Sequence, residues 1–191
     1  MKNKKICVIG LGYVGLPLAI NLSKYFKLVG FDKNKERISD LKSNIDITNE
    51  IKVSELKRSK ILFTCDPGDV QNCNVYIVTV PTPINSKKIP KITSLISVTK
   101  MIASNLKDND LIIYESTVFP GCTEEILIPL IEKFSKKKLN KNFYVGYSPE
   151  RIDPGESKYK LSNQVKVISG SSKKTVEKIK SIYKKIIKKD L

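Results

Sequence analysis

Short apolar runs alternate with amphipathic stretches from one end of the chain to the other. Runs at 4–9 (KKICVI), 27–32 (KLVGFD), 60–64 (KILFT), 74–79 (NVYIVT), 110–114 (DLIIY), 142–147 (NFYVGY) and 165–169 (VKVIS) have strand length and β-branched or aromatic character. Between them, helical spacing predicts helices over 14–25, 34–43, 93–106, 122–135 and 173–188. The last is the clearest. Val176, Ile179, Ile182, Tyr183, Ile186 and Ile187 fall on one stripe, with lysines on the other face. Strands separated by helices predict an α/β fold, a doubly wound and mostly parallel sheet with helices on both faces. Two proline-containing loops, 80–90 (VPTPINSKKIP) and 148–155 (SPERIDPG), directly follow predicted strands. In open parallel sheets ligands bind beyond the carboxyl ends of the strands, so these loops are candidate walls of a site.

The first strand runs into Gly10-Leu11-Gly12-Tyr13-Val14-Gly15, a G-x-G-x-x-G sequence at the mouth of a predicted helix. In that context each glycine has its own task. Gly10 permits a tight turn, Gly12 lets backbone approach a pyrophosphate, and Gly15 lets helix and strand pack closely. The helix start adds unpaired N–H groups and roughly +0.5 charge. Asp32 ends the second strand twenty residues after Gly12. A carboxylate there can accept from the ribose hydroxyls of a dinucleotide and would repel a 2′-phosphate, so the expected cofactor is NAD rather than NADP. Lys33 and Arg37 follow, either as cations that soften this choice or pack by the adenine, or as exposed residues of a Lys-rich face. Together these features predict a Rossmann-type domain.

Composition narrows the chemistry. The 191 residues carry 35 Lys plus Arg against 19 Asp plus Glu, a formal charge of +16. Residues 133–191 hold 17 of the basic side chains and only 5 of the acidic ones, so the imbalance lies in the last third. Only Arg37, Arg58 and Arg151 are arginines, and no helix-turn-helix, zinc-finger or aromatic RNA-binding pattern accompanies the lysines. The expectation is a solvated basic surface and no nucleic-acid partner. Absence of histidine excludes a Ser-His-Asp triad, a Cys-His pair and a His-ligated metal within this chain, and no metal site is expected. Cys7, Cys65, Cys73 and Cys122 show no C-x-x-C spacing, which fits free thiols in a reducing cytoplasm. The uncharged run Ile6–Ile20 follows three lysines as in a signal peptide, but its glycines and proline argue otherwise, and it is too short to span a bilayer. No membrane partner is expected.

Four motifs go beyond this generic reading: Ile6–Ala19 (ICVIGLGYVGLPLA), Val80–Ile84 (VPTPI), Tyr114–Glu125 (YESTVFPGCTEE) and Tyr147–Gly155 (YSPERIDPG). In this order they resemble the N-terminal half of the nucleotide-sugar dehydrogenases, the UDP-glucose/UDP-mannosaminuronate dehydrogenase family. Within it they are most similar to UDP-N-acetylhexosamine 6-dehydrogenases that supply uronic acids for capsule and O-antigen polysaccharides. The resemblance implies NAD-dependent oxidation of a sugar C6 alcohol to a carboxylate through two hydride transfers. It places Gly10, Gly12, Tyr13, Val14 and Gly15 at the pyrophosphate, Asp32 and Arg37 at the adenosine ribose, and Val80, Pro81, Thr82, Ser116 and Thr117 along the dinucleotide. Thr117 and Glu150 become the catalytic candidates, one holding water or orienting a proton, the other acting as general acid/base. Glu150 and Arg151 become the substrate contacts. From the residues alone, Ser116-Thr117 also reads as a helix cap, and Glu150-Arg151 as a local ion pair. Cys122 reads as a small residue opening a helix.

The resemblance also marks what this sequence does not contain. The family's covalent cysteine lies in a Gly-x-Cys-Phe-Pro-Lys-Asp type segment of the second half, and its catalytic lysine and asparagine lie on a central helix. Neither segment is found here. Where UDP-glucose enzymes have a second glutamate after the catalytic one, this chain has Asp153-Pro154-Gly155, which favours the N-acetylhexosamine branch. The expectation is one NAD-binding domain over 1–191, with about 172–191 leading towards a central helix and a UDP-binding half. Such a fragment of a homodimeric cytoplasmic enzyme would bind NAD without turning over a UDP-N-acetylhexosamine. The alternative is a stand-alone NAD-binding regulatory module.

Overall fold

The apolar run KICVI forms strand β1 (Lys5–Ile9), whose residues from Ile6 onward are buried. A strand with no polar alternation must be covered on both faces, and it is. Ile6 and Val8 point into one apolar layer, Cys7 and Ile9 into the other. The computed structural model describes residues 4–150 and 165–187. After β1 come α1 (Gly15–Ser23), β2 (Lys27–Phe31), α2 (Lys35–Lys42), α3 (Val53–Arg58), β3 (Ile61–Thr64), β4 (Val75–Val78), α4 (Thr93–Ala103), β5 (Asp110–Tyr114), α5 (Ile128–Ser135), β6 (Phe143–Tyr147), β7 (Ser169–Gly170) and α6 (Lys173–Tyr183).

The sheet order is β3-β2-β1-β4-β5-β6-β7, with β1 to β6 parallel and β7 antiparallel to β6. The order reverses between β1 and β4, which is where an open α/β sheet leaves its crevice. Residues of α1, α2, α3 and α6 fill the layer on one face (Leu16, Leu22, Leu41, Leu56, Ile179, Tyr183). Residues of α4 and α5 fill the other, with Leu95, Ile102 and Ile131 fully or almost fully buried. The predicted apolar stripe of the last helix is the buried face of α6 and the turn after it.

Three local readings need correction. The short helix α3 and a 3₁₀ turn at Pro67–Val70 were not expected, because neither is long enough to show a period. The segment before α5 is π-helical over Cys122–Leu127. Pro129 has no N–H to close an α-helical bond onto Glu125, and the turn preceding it is wound more widely. The run at 165–169 becomes a strand only at Ser169–Gly170. Val165 and Val167 are exposed, and the buried side chain between them is Lys166. Among the described residues no helix is long and apolar enough to cross a membrane.

Candidate functional site

The glycine loop is braced from β4. Gly10 has φ +95°, a conformation that favours glycine, and a Cβ there would meet the Thr79 carbonyl oxygen at 2.9 Å. A Cβ on Gly15 would lie 1.8 Å from the Gly10 carbonyl oxygen and 2.5 Å from Thr79 Oγ1. The Thr79 hydroxyl donates to the Gly10 carbonyl at 2.7 Å, with the Ile9 carbonyl at 3.0 Å. Gly12 differs: a Cβ there would meet nothing within 4 Å. The fold therefore requires glycine at 10 and 15, whereas at 12 the missing side chain leaves an open cradle. Helix α1 starts above it without a side-chain cap, with the Leu16 N–H turned to the Gly12 carbonyl at 3.1 Å. Tyr13 is half-exposed beside it.

Asp32 lies just beyond β2, against the glycine loop. Its carboxylate accepts from the Leu11 N–H at 2.8 Å and from the Asn34 N–H at 2.9 Å, one bond on each oxygen. Each oxygen keeps a further lone pair for a hydroxyl donor. Arg37 is only 5 % exposed, so it is not the solvent-facing cation of a Lys-rich surface. Its Nε donates to the Leu11 carbonyl at 2.9 Å and its Nη2 lies 2.8 Å from Asp46 Oδ1. The sequence pattern of α2 puts Arg37 beside Ile38 on the inward face, and the guanidinium fastens the glycine loop from below.

The loops after β4 and β5 are tied to each other. The Ser116 hydroxyl donates to the Val80 carbonyl and the Thr82 hydroxyl to the Thr117 carbonyl, both at 2.7 Å. Val80, Pro81 and Thr82 thus lie against Ser116 and Thr117, as expected of one wall of a site. The helix-cap reading of Ser116-Thr117 fails, because the helical segment begins at Cys122 with no side-chain cap. Cys122 is fully buried and burial pushes its thiol up, which suits a packing residue rather than a nucleophile.

At the carboxyl ends of β5 and β6 lies a cluster that sequence reasoning missed. Lys166 Nζ sits 2.9 Å from Glu150 Oε2 and 3.2 Å from Glu115 Oε2. Lys166 is 5 % exposed and Glu115 2 %. The Tyr183 hydroxyl of α6 hydrogen-bonds Glu115 Oε1, and Lys166 Nζ stands 5.1 Å above the Tyr183 ring. Burial pushes the Glu115 carboxyl up, while Lys166 and the Tyr183 hydroxyl pull the other way. Burial also drives the Tyr183 phenol up, helped by the Glu115 charge. Among the described residues Lys166 pairs with Glu150. Arg151, expected beside it, lies outside the described residues, as does the Asp153-Pro154-Gly155 stretch. The one signal in the sequence was a lysine at the centre of an apolar strand pattern, V-K-V-I, where alternation turns it inward with respect to its valines.

Residues 4–187 match the family described as the UDP-glucose/GDP-mannose dehydrogenase family, NAD binding domain. The chain belongs to that family. It is 49 % identical over 188 residues to the UDP-N-acetyl-D-glucosamine 6-dehydrogenase of Pseudomonas aeruginosa, covering 98 % of this chain and 44 % of that protein. It is 35 % identical over 196 residues to the UDP-N-acetyl-D-mannosamine dehydrogenase of Methanococcus aeolicus, covering 98 % and 43 %. The solved UDP-D-ManNAc dehydrogenase of Pyrococcus horikoshii superposes with a TM-score of 0.88 at 30 % identity, over 97 % of this chain and 46 % of that one. The chain thus spans just under half the length of these relatives, and it corresponds to the dehydrogenase family's NAD-binding domain. The open cradle at Gly12, the uncapped α1 start and the spare lone pairs of Asp32 fit that cofactor.

Proposed function

We propose that this chain is the cofactor-binding half of a nucleotide-sugar dehydrogenase that oxidises the C6 alcohol of a UDP-N-acetylhexosamine to the uronate. The observation that carries the reading is the arrangement at the carboxyl ends of β1, β4, β5 and β6. The glycine loop, the Val80–Thr82 and Ser116–Thr117 wall, and Glu150 all gather at that edge of the sheet. Gly10, Gly12, Tyr13, Val14 and Gly15 would hold the pyrophosphate and Asp32 the adenosine ribose, with Arg37 fixing the loop between them. Val80, Pro81, Thr82, Ser116 and Thr117 would line the nicotinamide end. NAD supplies the hydride acceptor when bound. Thr117, whose side chain is exposed at this edge, orients water or a proton, and Glu150 takes and returns protons as the alcohol becomes a carboxylate. Glu150 and Arg151 contact the sugar. UDP recognition, the epimer accepted and any homodimer belong to the longer protein.

The test is calorimetric titration of the purified chain with NAD and NADP, followed by assay of the longer protein with UDP-N-acetylglucosamine. The expected result is NAD binding with a Kd of roughly micromolar to millimolar order, weaker NADP binding, and two NADH formed per sugar oxidised. No saturable NAD binding would overturn the reading. NAD binding with no NADH from any UDP-sugar would leave a regulatory module instead of an enzyme half.

A further inference from the structure

Glu115, Lys166 and Tyr183 are buried at the same edge of the sheet as Glu150, yet the proposed reaction gives them no task. They are not an ordinary core. A buried pair or triad of charges is a poor stabiliser, because desolvation offsets most of its attraction, and well-packed apolar residues do as well or better. Here the fold also reverses its own pattern to make the cluster. Val165 and Val167 are 53 % and 49 % exposed so that the lysine between them can turn inward. Such local violations are expected where a site, not the core, dictates the residue.

The geometry gives the lysine a defined target. Its ammonium is held from one side by Glu115, which Tyr183 of α6 fixes in turn, and from below by the Tyr183 ring. The other side meets Glu150 at 2.9 Å. The strand end and the loop are tied together as well, since the Ser148 hydroxyl donates to the Val167 carbonyl at 2.9 Å and the Ser148 N–H to the Tyr114 carbonyl at 2.9 Å. These three groups around Lys166 are each anchored to a different element: Glu115 to the end of β5, Tyr183 to α6, Glu150 to the loop after β6.

We propose that Lys166 is a positioning residue of the site, its ammonium clamped by Glu115 and Tyr183 and holding the Glu150 carboxylate in one fixed place for proton transfer. This inference rests on the reading of Glu150 as the acid/base group. Glu115 acts only through the lysine, by neutralising it and fixing its height in the cleft. A charge-assisted bond of this kind is short and directional, which suits orientation better than bulk stability.

The experiment is carboxyl-carbon NMR of the chain labelled with ¹³C at the Glu side-chain carboxyls. The Glu150 line is assigned by its loss in E150Q, and NAD affinity is measured on every variant by calorimetry. The wild-type protein is expected to give one sharp Glu150 line. In K166M that line shifts and broadens while NAD affinity stays as in the wild type, and K166R restores the sharp line. If K166M fails to fold, the pair E115Q/K166M, which removes the buried Glu115 charge together with the lysine, is expected to show the same shift and broadening. In the longer enzyme K166M should lower kcat by about 10²-fold with KM for NAD unchanged, and K166R should recover most of the loss. A Glu150 line unmoved in a folded K166M or E115Q/K166M variant that still binds NAD overturns the inference alone. Loss of NAD binding in the wild type overturns the underlying reading instead.

Discussion

The backbone N–H of Leu11 donates to the carboxylate of Asp32 at 2.8 Å, joining the middle of the glycine loop to the end of the neighbouring strand. The same carboxylate takes the Asn34 N–H that opens the turn into α2. Asp32 therefore holds the glycine loop in shape through the fold alone, and under the proposed function the same carboxylate would also meet the ribose.

Asp32→Ala removes an acceptor from two backbone donors and is expected to cost about 1–3 kcal/mol of stability together with at least tenfold in NAD affinity. Asp32→Asn keeps one acceptor oxygen, so its stability loss should be smaller, while its amide group is a poorer acceptor for the ribose hydroxyls. Denaturant unfolding and calorimetry on the two variants separate the effects. Wild-type NAD affinity in Asp32→Ala would contradict the role.

The three glycines of the loop divide by what surrounds them. A Cβ at position 12 meets no protein atom within 4 Å, so Gly12→Val should fold with nearly wild-type Tm and lose NAD, because its side chain fills the cradle. Gly15→Ala places a methyl group against the Gly10 carbonyl at 1.8 Å. It should lower stability by roughly 1–3 kcal/mol or more through overpacking, and lose NAD only as a consequence of the shifted loop. Thermal melts with and without NAD distinguish the two: the ligand should raise the Tm of the wild type and not that of Gly12→Val.

How much of this was legible follows from the kind of signal each residue left. The strands β1 to β6 and the glycine loop were readable, because the buried parallel strands are continuous apolar runs and the loop has a spacing with a mechanical cause. For Arg37 the residues alone left a cation near the adenine and an exposed residue both open, and only the structure shows it buried against the glycine loop. Its neighbour Ile38 marks an inward face, but the partner that draws it in, Asp46, lies in a loop with no periodicity. Lys166 was hidden by its valines, which by β-propensity signal an apolar strand and in the structure face solvent. Glu115 stood inside a quoted motif without a role, since only the fold brings it to Lys166 across fifty intervening residues.

At the opposite edge of the sheet Asp110 opens β5, buried, with its carboxylate accepting from the Lys107 N–H at 2.8 Å. Burial raises its carboxyl to about 6, although that bond and the charges of Lys107 and Lys137 oppose the shift. An unfolded aspartate titrates near 3.9, about two units lower. Between those values the folded chain holds a proton that the unfolded chain has released, so stability falls as pH rises through the window and stays lower above it. Asp110→Asn, whose oxygen still accepts from Lys107, is expected to raise Tm by about 2–4 °C at pH 7 and to leave it unchanged near pH 4. A Tm difference that does not vary with pH would refute the assignment.

The Arg37–Asp46 pair makes the opposite acid-side expectation. Burial pushes the Asp46 carboxyl up, but the Thr48 hydroxyl, the Arg37 guanidinium and the Thr48 and Ile51 N–H groups outweigh it and hold the carboxyl below the ordinary carboxylate range. A depressed folded value means that the contribution is complete above the unfolded value near 4 and is lost as pH falls through the folded one. Asp46→Asn should therefore be least stable relative to wild type at neutral pH and draw level with it in acid. Arg37→Met leaves Asp46 buried without its cation and should cost about 3–5 kcal/mol. It should also loosen the Leu11 carbonyl and so reduce NAD affinity. In the double variant Arg37→Met/Asp46→Asn no charge is left stranded and the amide oxygen still accepts from the loop, so stability should recover by about 1–3 kcal/mol over Arg37→Met while NAD affinity stays low, because the bond from Nε to the loop is still missing. Recovery of NAD affinity along with stability would mean that Arg37 serves the fold only, and not the shape of the glycine loop.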